Sequence, residues 1–227
     1  MSDTPCCTHM QAPPATVFKT RPSSPAASVT PADETKLVAL TFDDGPATTS
    51  TDRVLALMES FGIKTTFFVV GQMVENNGSR TKAALDAGHL IANHSFTHPE
   101  FSKLSADGMA SEIDRTTAAM VAVGIPVPSY FRPPYGDRDG AALAAILDQR
   151  GMTPVYWTID SRDWEMPDVE TIHQNVLADL RVQWDRSNFT NIVLFHDIQT
   201  HTPDVIEALV PDLIAAGCRF VRIDEIV

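Results

Sequence analysis

Short apolar runs, each cut off by glycine, proline or a polar cluster, recur along the chain from Lys36 onward. Runs of strand length lie at Leu37–Phe42, Thr65–Val70, Leu90–Asn93, Ser129–Phe131, Thr153–Ile159, Asn191–Phe195 and Arg219–Ile223. Between them, apolar positions return at helical spacing near Thr51–Ser60, Ser79–Ala87, Ser105–Val123, Asp139–Gln149, Asp168–Arg181 and Pro203–Ala215. Gly62, Gly88, Gly124, Gly151 and Gly217 each follow a helical stretch, where a left-handed cap is expected. Strands that are mostly apolar and alternate with helices predict a parallel sheet covered by helices. Polar clusters follow at least five of the strands, and a barrel gathers such clusters on one rim. The predicted fold is therefore α/β, a distorted, incomplete (β/α) barrel with about seven parallel strands.

Residues 1–34 break this pattern: they are rich in Pro, Ser, Thr and Ala and have no apolar period. They read as a linker or tag remnant of little regular structure, leaving 35–227 as one catalytic domain. The 227 residues are 44% hydrophobic and 20% charged, enough for a sizeable core. Net charge is −12 with no Lys/Arg cluster, which argues against nucleic acid and against an anionic membrane surface. No run of about 18 apolar residues suggests a membrane span. Cys6, Cys7 and Cys218 make no disulfide framework.

The chemistry sits in the polar clusters. Leu37–Leu40 leads into Thr41-Phe42-Asp43-Asp44-Gly45-Pro46, where Gly45-Pro46 stops the strand beside two adjacent carboxylates. Such a pair is costly to bring together unless a cation neutralises one member, leaving the other free as a base. His94 and His98 follow the third strand; four apart, they fall on one side of a helical turn. Two imidazoles and one carboxylate make a three-ligand zinc site with a position left for water. Phe131-Arg132-Pro133-Pro134-Tyr135-Gly136 is a stiffened loop after the fourth strand. Asp160-Ser161-Arg162-Asp163-Trp164 follows the fifth, and Leu194-Phe195-His196-Asp197 ends the sixth. Taken singly, Arg132 reads as a surface cation, Trp164 as a packing residue and His196 as a core histidine.

Together, in this order over about Lys36 to Val227, the five segments resemble the motifs of the polysaccharide deacetylases, carbohydrate esterase family 4, also called the nodulation-type chitooligosaccharide deacetylase domain. The resemblance implies that Asp43 is the general base and that Asp44, His94 and His98 hold a metal, usually Zn2+, with Co2+ an alternative. It implies that Arg132 orients the base, that the Tyr135 amide meets the oxyanion, and that Asp163 supports the catalytic acid, His196. Trp164 and Leu194 become groove walls, with Tyr135 and Pro134 also on the substrate side. Many relatives carry Asn where this chain has Asp139.

The implied activity is metal-dependent removal of N-acetyl groups from N-acetylglucosamine polymers, chitin oligomers or peptidoglycan. A secreted or cell-envelope location and a monomer are expected, a cytosolic location being the alternative. The rival readings are an acetylxylan esterase, a hydrolase of small cyclic amides on the same fold, and a non-catalytic carbohydrate-binding module. Short connections favour a polymer, and the complete set of base, acid and ligands weighs against the module. Among the other histidines, His89 reads as structural, His173 as lying on a helix surface, and His201 as without a role, the cleft rim being its lesser alternative. Trp184 reads as packing, and the Asn-x-Ser/Thr triplets at Asn77, Asn93 and Asn188 as chance.

Overall fold

Along the first strand, β1 (Leu37–Asp43), successive side chains enter two different cores, and that alternation organises the rest of the domain. The computed structural model describes residues 35–137, 140–165 and 168–227; the expected linker 1–34 and Asp139 lie outside them. After β1 come α1 (Ser50–Phe61), β2 (Thr66–Val69), α2 (Gly71–Asp86), β3 (Leu90–Asn93), α3 (Ala106–Ala122) and β4 (Tyr130–Phe131). Then follow α4 (Gly140–Gln149), β5 (Thr153–Pro154), β6 (Ile159–Asp160), α5 (Val169–Asp185), β7 (Thr190–His196), α6 (Thr202–Ala215) and β8 (Arg219–Phe220).

Seven strands run in the order β5-β4-β3-β2-β1-β7-β6, all paired in parallel, and β8 joins β1 beside Leu37 and Val38. The path ends in β5 and β6, which pair with β4 and β7 respectively rather than with each other, so the barrel is incomplete. The run Thr153–Ile159, expected as one strand, is instead two: Thr153–Pro154 pairs with β4 and Ile159–Asp160 with β7. A continuous apolar stretch looks the same whether it lies along one strand or steps between two edges of a sheet.

Val38, Leu40 and Phe42 of β1 pack outward with Phe67 and Val69 of β2, Ile91 of β3 and Val193 and Phe195 of β7 against the helices. Ala39, Phe68, Ala92 and Val155 form a smaller inner cluster with Val221 and Ile223. The period of two therefore assigns each strand end a direction. Counting from Ala39, Ala92 and Ile192, the residues Asp43, His94 and His196 fall on the inner parity, at the ends where the sheet stops.

Helix α2 starts eight residues earlier than the run Ser79–Ala87 suggests. Asn77 departs from helical geometry (φ −134°, ψ 31°), but the helix continues through it. Asn77 Nδ2 donates to the Pro46 carbonyl, and a Cβ on Gly78 would sit 2.5 Å from Val123. Tertiary contacts thus hold a kink that local propensity alone reads as a break. The five expected capping glycines all have positive φ, between 62° and 89°.

Candidate active site

Asp43 and Asp44 are neighbours on one chain yet face the same cavity. Asp43 reaches it by strand parity, and Asp44 is turned towards it by a left-handed backbone (φ 75°). Gly45, joined to Pro46 by a cis peptide, comes next; a Cβ there would lie 2.2 Å from both carboxylate oxygens of Asp197. Only glycine fits, because Asp197 is buried directly beneath this turn and its amide donates to the Asp43 carbonyl at 3.3 Å.

His94 and His98 are brought together by a loop rather than by the helical turn expected from their spacing. Ser95 and His98 take left-handed backbones (φ 66° and 58°), and Ser95 Oγ accepts from the His98 amide. Asn93 Oδ1 accepts from the Ser95 amide, and a Glu112 oxygen accepts from those of Phe96 and Thr97. Asn93 is fully buried, which removes any glycan at its triplet. His94 Nδ1 meets the Arg132 carbonyl at 2.7 Å, so that Nε2 is the nitrogen turned into the cavity.

There His94 Nε2 and His98 Nε2 lie 3.3 Å and 3.2 Å from Asp44 Oδ1. One ligand atom from each of these three residues falls within 4.8 Å of the others. Asp44 Oδ1 is buried without a properly oriented hydrogen bond. Burial acts against the Asp44 carboxylate, but the close approach and charge of His94, then the charges of His98 and His196, bring its pKa down to about 2. The residues fit a divalent cation. An orphaned carboxylate oxygen, two imidazole nitrogens aimed at it and a carbonyl pinning the far nitrogen of His94 are the features of an open three-ligand site.

Arg132 is fully buried, not a surface cation. Its Nη1 donates to Asp43 Oδ1 at 2.7 Å and to Thr41 Oγ1 at 2.8 Å, and its Nε donates to the Val155 carbonyl at 3.2 Å. The guanidinium lies 3.9 Å from the Phe68 ring centre and 5.6 Å from that of Trp157. Asp43 is held at one oxygen by a charge-assisted bond and leaves Oδ2 3.6 Å from His94 Nε2.

Across the sheet, Asp43 of β1 is the register partner of His196 of β7. His196 Nδ1 lies 2.7 Å from Asp163 Oδ1, and its amide donates to Asp163 Oδ2 at 2.8 Å. Burial disfavours the imidazolium, but the hydrogen bond and charge of Asp163, then Asp43 and Asp44, raise its pKa to about 9. Burial, aided by the charges of Asp44 and Asp43, pushes the Asp197 carboxyl up to about 7.

Asp43, Asp44, His94, His98 and His196 share a cavity of about 310 Å³, lined also by Tyr135, Trp157, Asp160, Trp164 and Leu194. Tyr135 (φ 60°) and Trp164 are 67% and 56% exposed at its rim, so Trp164 is not a core packing residue. Pro134 is buried in the turn before Tyr135 and is not part of the lining. Trp157, Asp160 and Asp197 had no assigned role in the sequence. Trp157 fills the space that any Cβ on Gly136 would enter, at 2.6 Å. Its inward direction could be counted only once the run around it was known to step between strands. Asp197 stands next to His196 in the chain, and that adjacency was the available signal.

The other residues divide. His89 is buried and structural, its Nδ1 accepting from the Thr65 amide, and Trp184 packs against the outer core. His173 is not on the surface: it is buried between α5 and α6, 3.0 Å from Asp212. His201 lies 2.9 Å from the Asp163 carbonyl.

A family profile described as polysaccharide deacetylase matches residues 30–155. A peptidoglycan-N-acetylglucosamine deacetylase of Listeria monocytogenes is 32% identical over 191 residues, covering 84% of this chain and 39% of its own. The chain thus spans well under half the length of that relative. A chitooligosaccharide deacetylase of Rhizobium leguminosarum is 34% identical over 160 residues, 70% of this chain and 71% of its own. The crystal structure of a family 4 carbohydrate esterase from Streptomyces lividans in complex with acetate superimposes with a TM-score of 0.71 at 36% identity, covering 81% of this chain and 90% of that one.

Proposed function

Because this chain belongs to the polysaccharide deacetylase family, we propose that it hydrolyses N-acetyl groups from an N-acetylglucosamine polymer, either chitin oligomers or peptidoglycan. The observation that carries this reading is the convergence in one cavity of an Asp/His/His donor set, an acid held by Arg132 and a histidine held by Asp163.

Asp44, His94 and His98 would hold the metal, zinc being the cation this donor set suits best. When bound, a divalent cation supplies Lewis acidity and lowers the pKa of water towards about 7. Asp43 takes the proton from the attacking water, and Arg132 fixes which of its oxygens is free to do so. The Tyr135 amide donates to the oxyanion, a contribution of about 3 kcal/mol on the scale of comparable donors. His196 is protonated at neutral pH; with Nδ1–H given to Asp163, its Nε2–H is left to protonate the departing amine. That proton is required, since an amine anion is not a viable leaving group in water. Trp164, Tyr135 and Leu194 flank the acetyl group, and the open rim between the two aromatics suits a chain rather than an enclosed small amide.

The test is acetate release from chitin oligomers, peptidoglycan and acetylated xylan side by side, with and without a chelator. Chelator-sensitive release from an N-acetylglucosamine polymer is expected. Release from xylan alone would make the chain an esterase, and release from none of the three would end the polysaccharide deacetylase reading.

A further inference from the structure

The Asp163 carboxylate has a third donor besides the two from His196: Thr202 Oγ1, at 2.5 Å from Oδ2. Thr202 is the first residue of α6 and fully buried, and Asp163 is 1% exposed. The preceding residue, His201, holds the other end of the same aspartate, with Nε2 2.9 Å from the Asp163 carbonyl. Consecutive residues at the start of one helix thus grip both the backbone and the side chain of the residue that orients His196. Oδ1 is left to His196 Nδ1.

The geometry points to Thr202 as a positioning residue for the proton-donating histidine. By occupying Oδ2 together with the His196 amide, it stops the carboxylate from rotating, so that Oδ1 stays in line with Nδ1–H and Nε2–H stays aimed into the cavity. A carboxylate with one donor fewer can turn about its χ2 axis with little resistance, which lets the imidazole tilt. Misplacement of a proton donor by under 1 Å is felt in the chemical step and not in binding. Thr202 does not line the cavity and has no contact with substrate in this arrangement. The inference rests on the assignment of His196 as the acid.

The experiment compares the full chain, zinc-loaded, with its Thr202→Val and Thr202→Ser variants on a chitin oligomer. Valine keeps the shape and removes the donor; serine keeps the donor and removes the methyl. Expected for Thr202→Val is a fall in kcat of about tenfold or more at a KM within about twofold, with Thr202→Ser recovering most of it. The downfield Nδ1–H proton resonance of His196, recorded on chelator-treated protein, should shift or broaden in the valine variant and return in the serine one. A valine variant with wild-type kcat, a change confined to KM, or serine behaving no better than valine overturns the proposal. If the wild-type chain releases no acetate, the assignment of His196 fails, and an unaltered Nδ1–H resonance in Thr202→Val still disproves the clamp separately.

Discussion

The two walls of the cavity are built on opposite principles. On the β1–β3 side, Asp44, Ser95 and His98 all have left-handed backbones, and Asp44 Oδ1 is buried with its hydrogen-bonding capacity unused. On the β6–β7 side, both oxygens of Asp163 are taken, by His196 Nδ1 and by the His196 amide and Thr202. An under-bonded acid on a left-handed backbone beside two imidazoles is a site that a bound cation would stabilise. A saturated acid needs nothing further and serves to hold a neighbour still. One wall carries a donor set that suits a cation; the other is complete in its own hydrogen bonds.

The largest test of this contrast is Asp43→Asn. It keeps the side-chain shape and the cation's three ligands but removes the proton acceptor, so kcat should fall by about 10² to 10⁴ while metal is retained. Turnover near that of the parent chain would refute its role as base. Next, the unfinished wall should stabilise on metal binding. At a zinc concentration of about 100 times Kd the gain is about 2.7 kcal/mol, raising Tm by roughly 5–10 °C for a chain of this size. The rise should vanish when His94 and His98 are both replaced by alanine; an equal rise in that variant would show the ion binding elsewhere.

The smallest effect belongs to the finished wall. Its histidine titrates at about 9 instead of the ordinary 6.5. That interaction stabilises the fold fully below pH 6.5 and is lost as pH rises through about 9. In metal-free protein, Asp163→Asn should return the His196 titration, followed by NMR, towards its ordinary value. An unmoved titration would mean that Asp163 is not what holds the proton there.

Most of the site could be read from the sequence because its residues directly follow recognisable strands. Asp43, Asp44, His94, Arg132 and His196 each end an apolar run, and a parallel sheet gathers such ends on one side. What escaped was set by tertiary contact. The helical turn expected for His94–His98 is a loop shaped by two local side-chain bonds, from Asn93 and Ser95, that compete with a helix, and by the distant Glu112. Trp157 lies in a run whose step from one sheet edge to the other leaves no mark in hydropathy. His173 looked exposed because its partner, Asp212, is on another helix 39 residues away.

Arg132 links the two chemistries more tightly than its distance along the chain suggests. Its backbone oxygen meets the ring of His94, a proposed cation ligand, while its side chain holds Asp43, the proposed proton acceptor. Both contacts hang from one residue, so any displacement of that peptide is felt at His94 and at Asp43 at once.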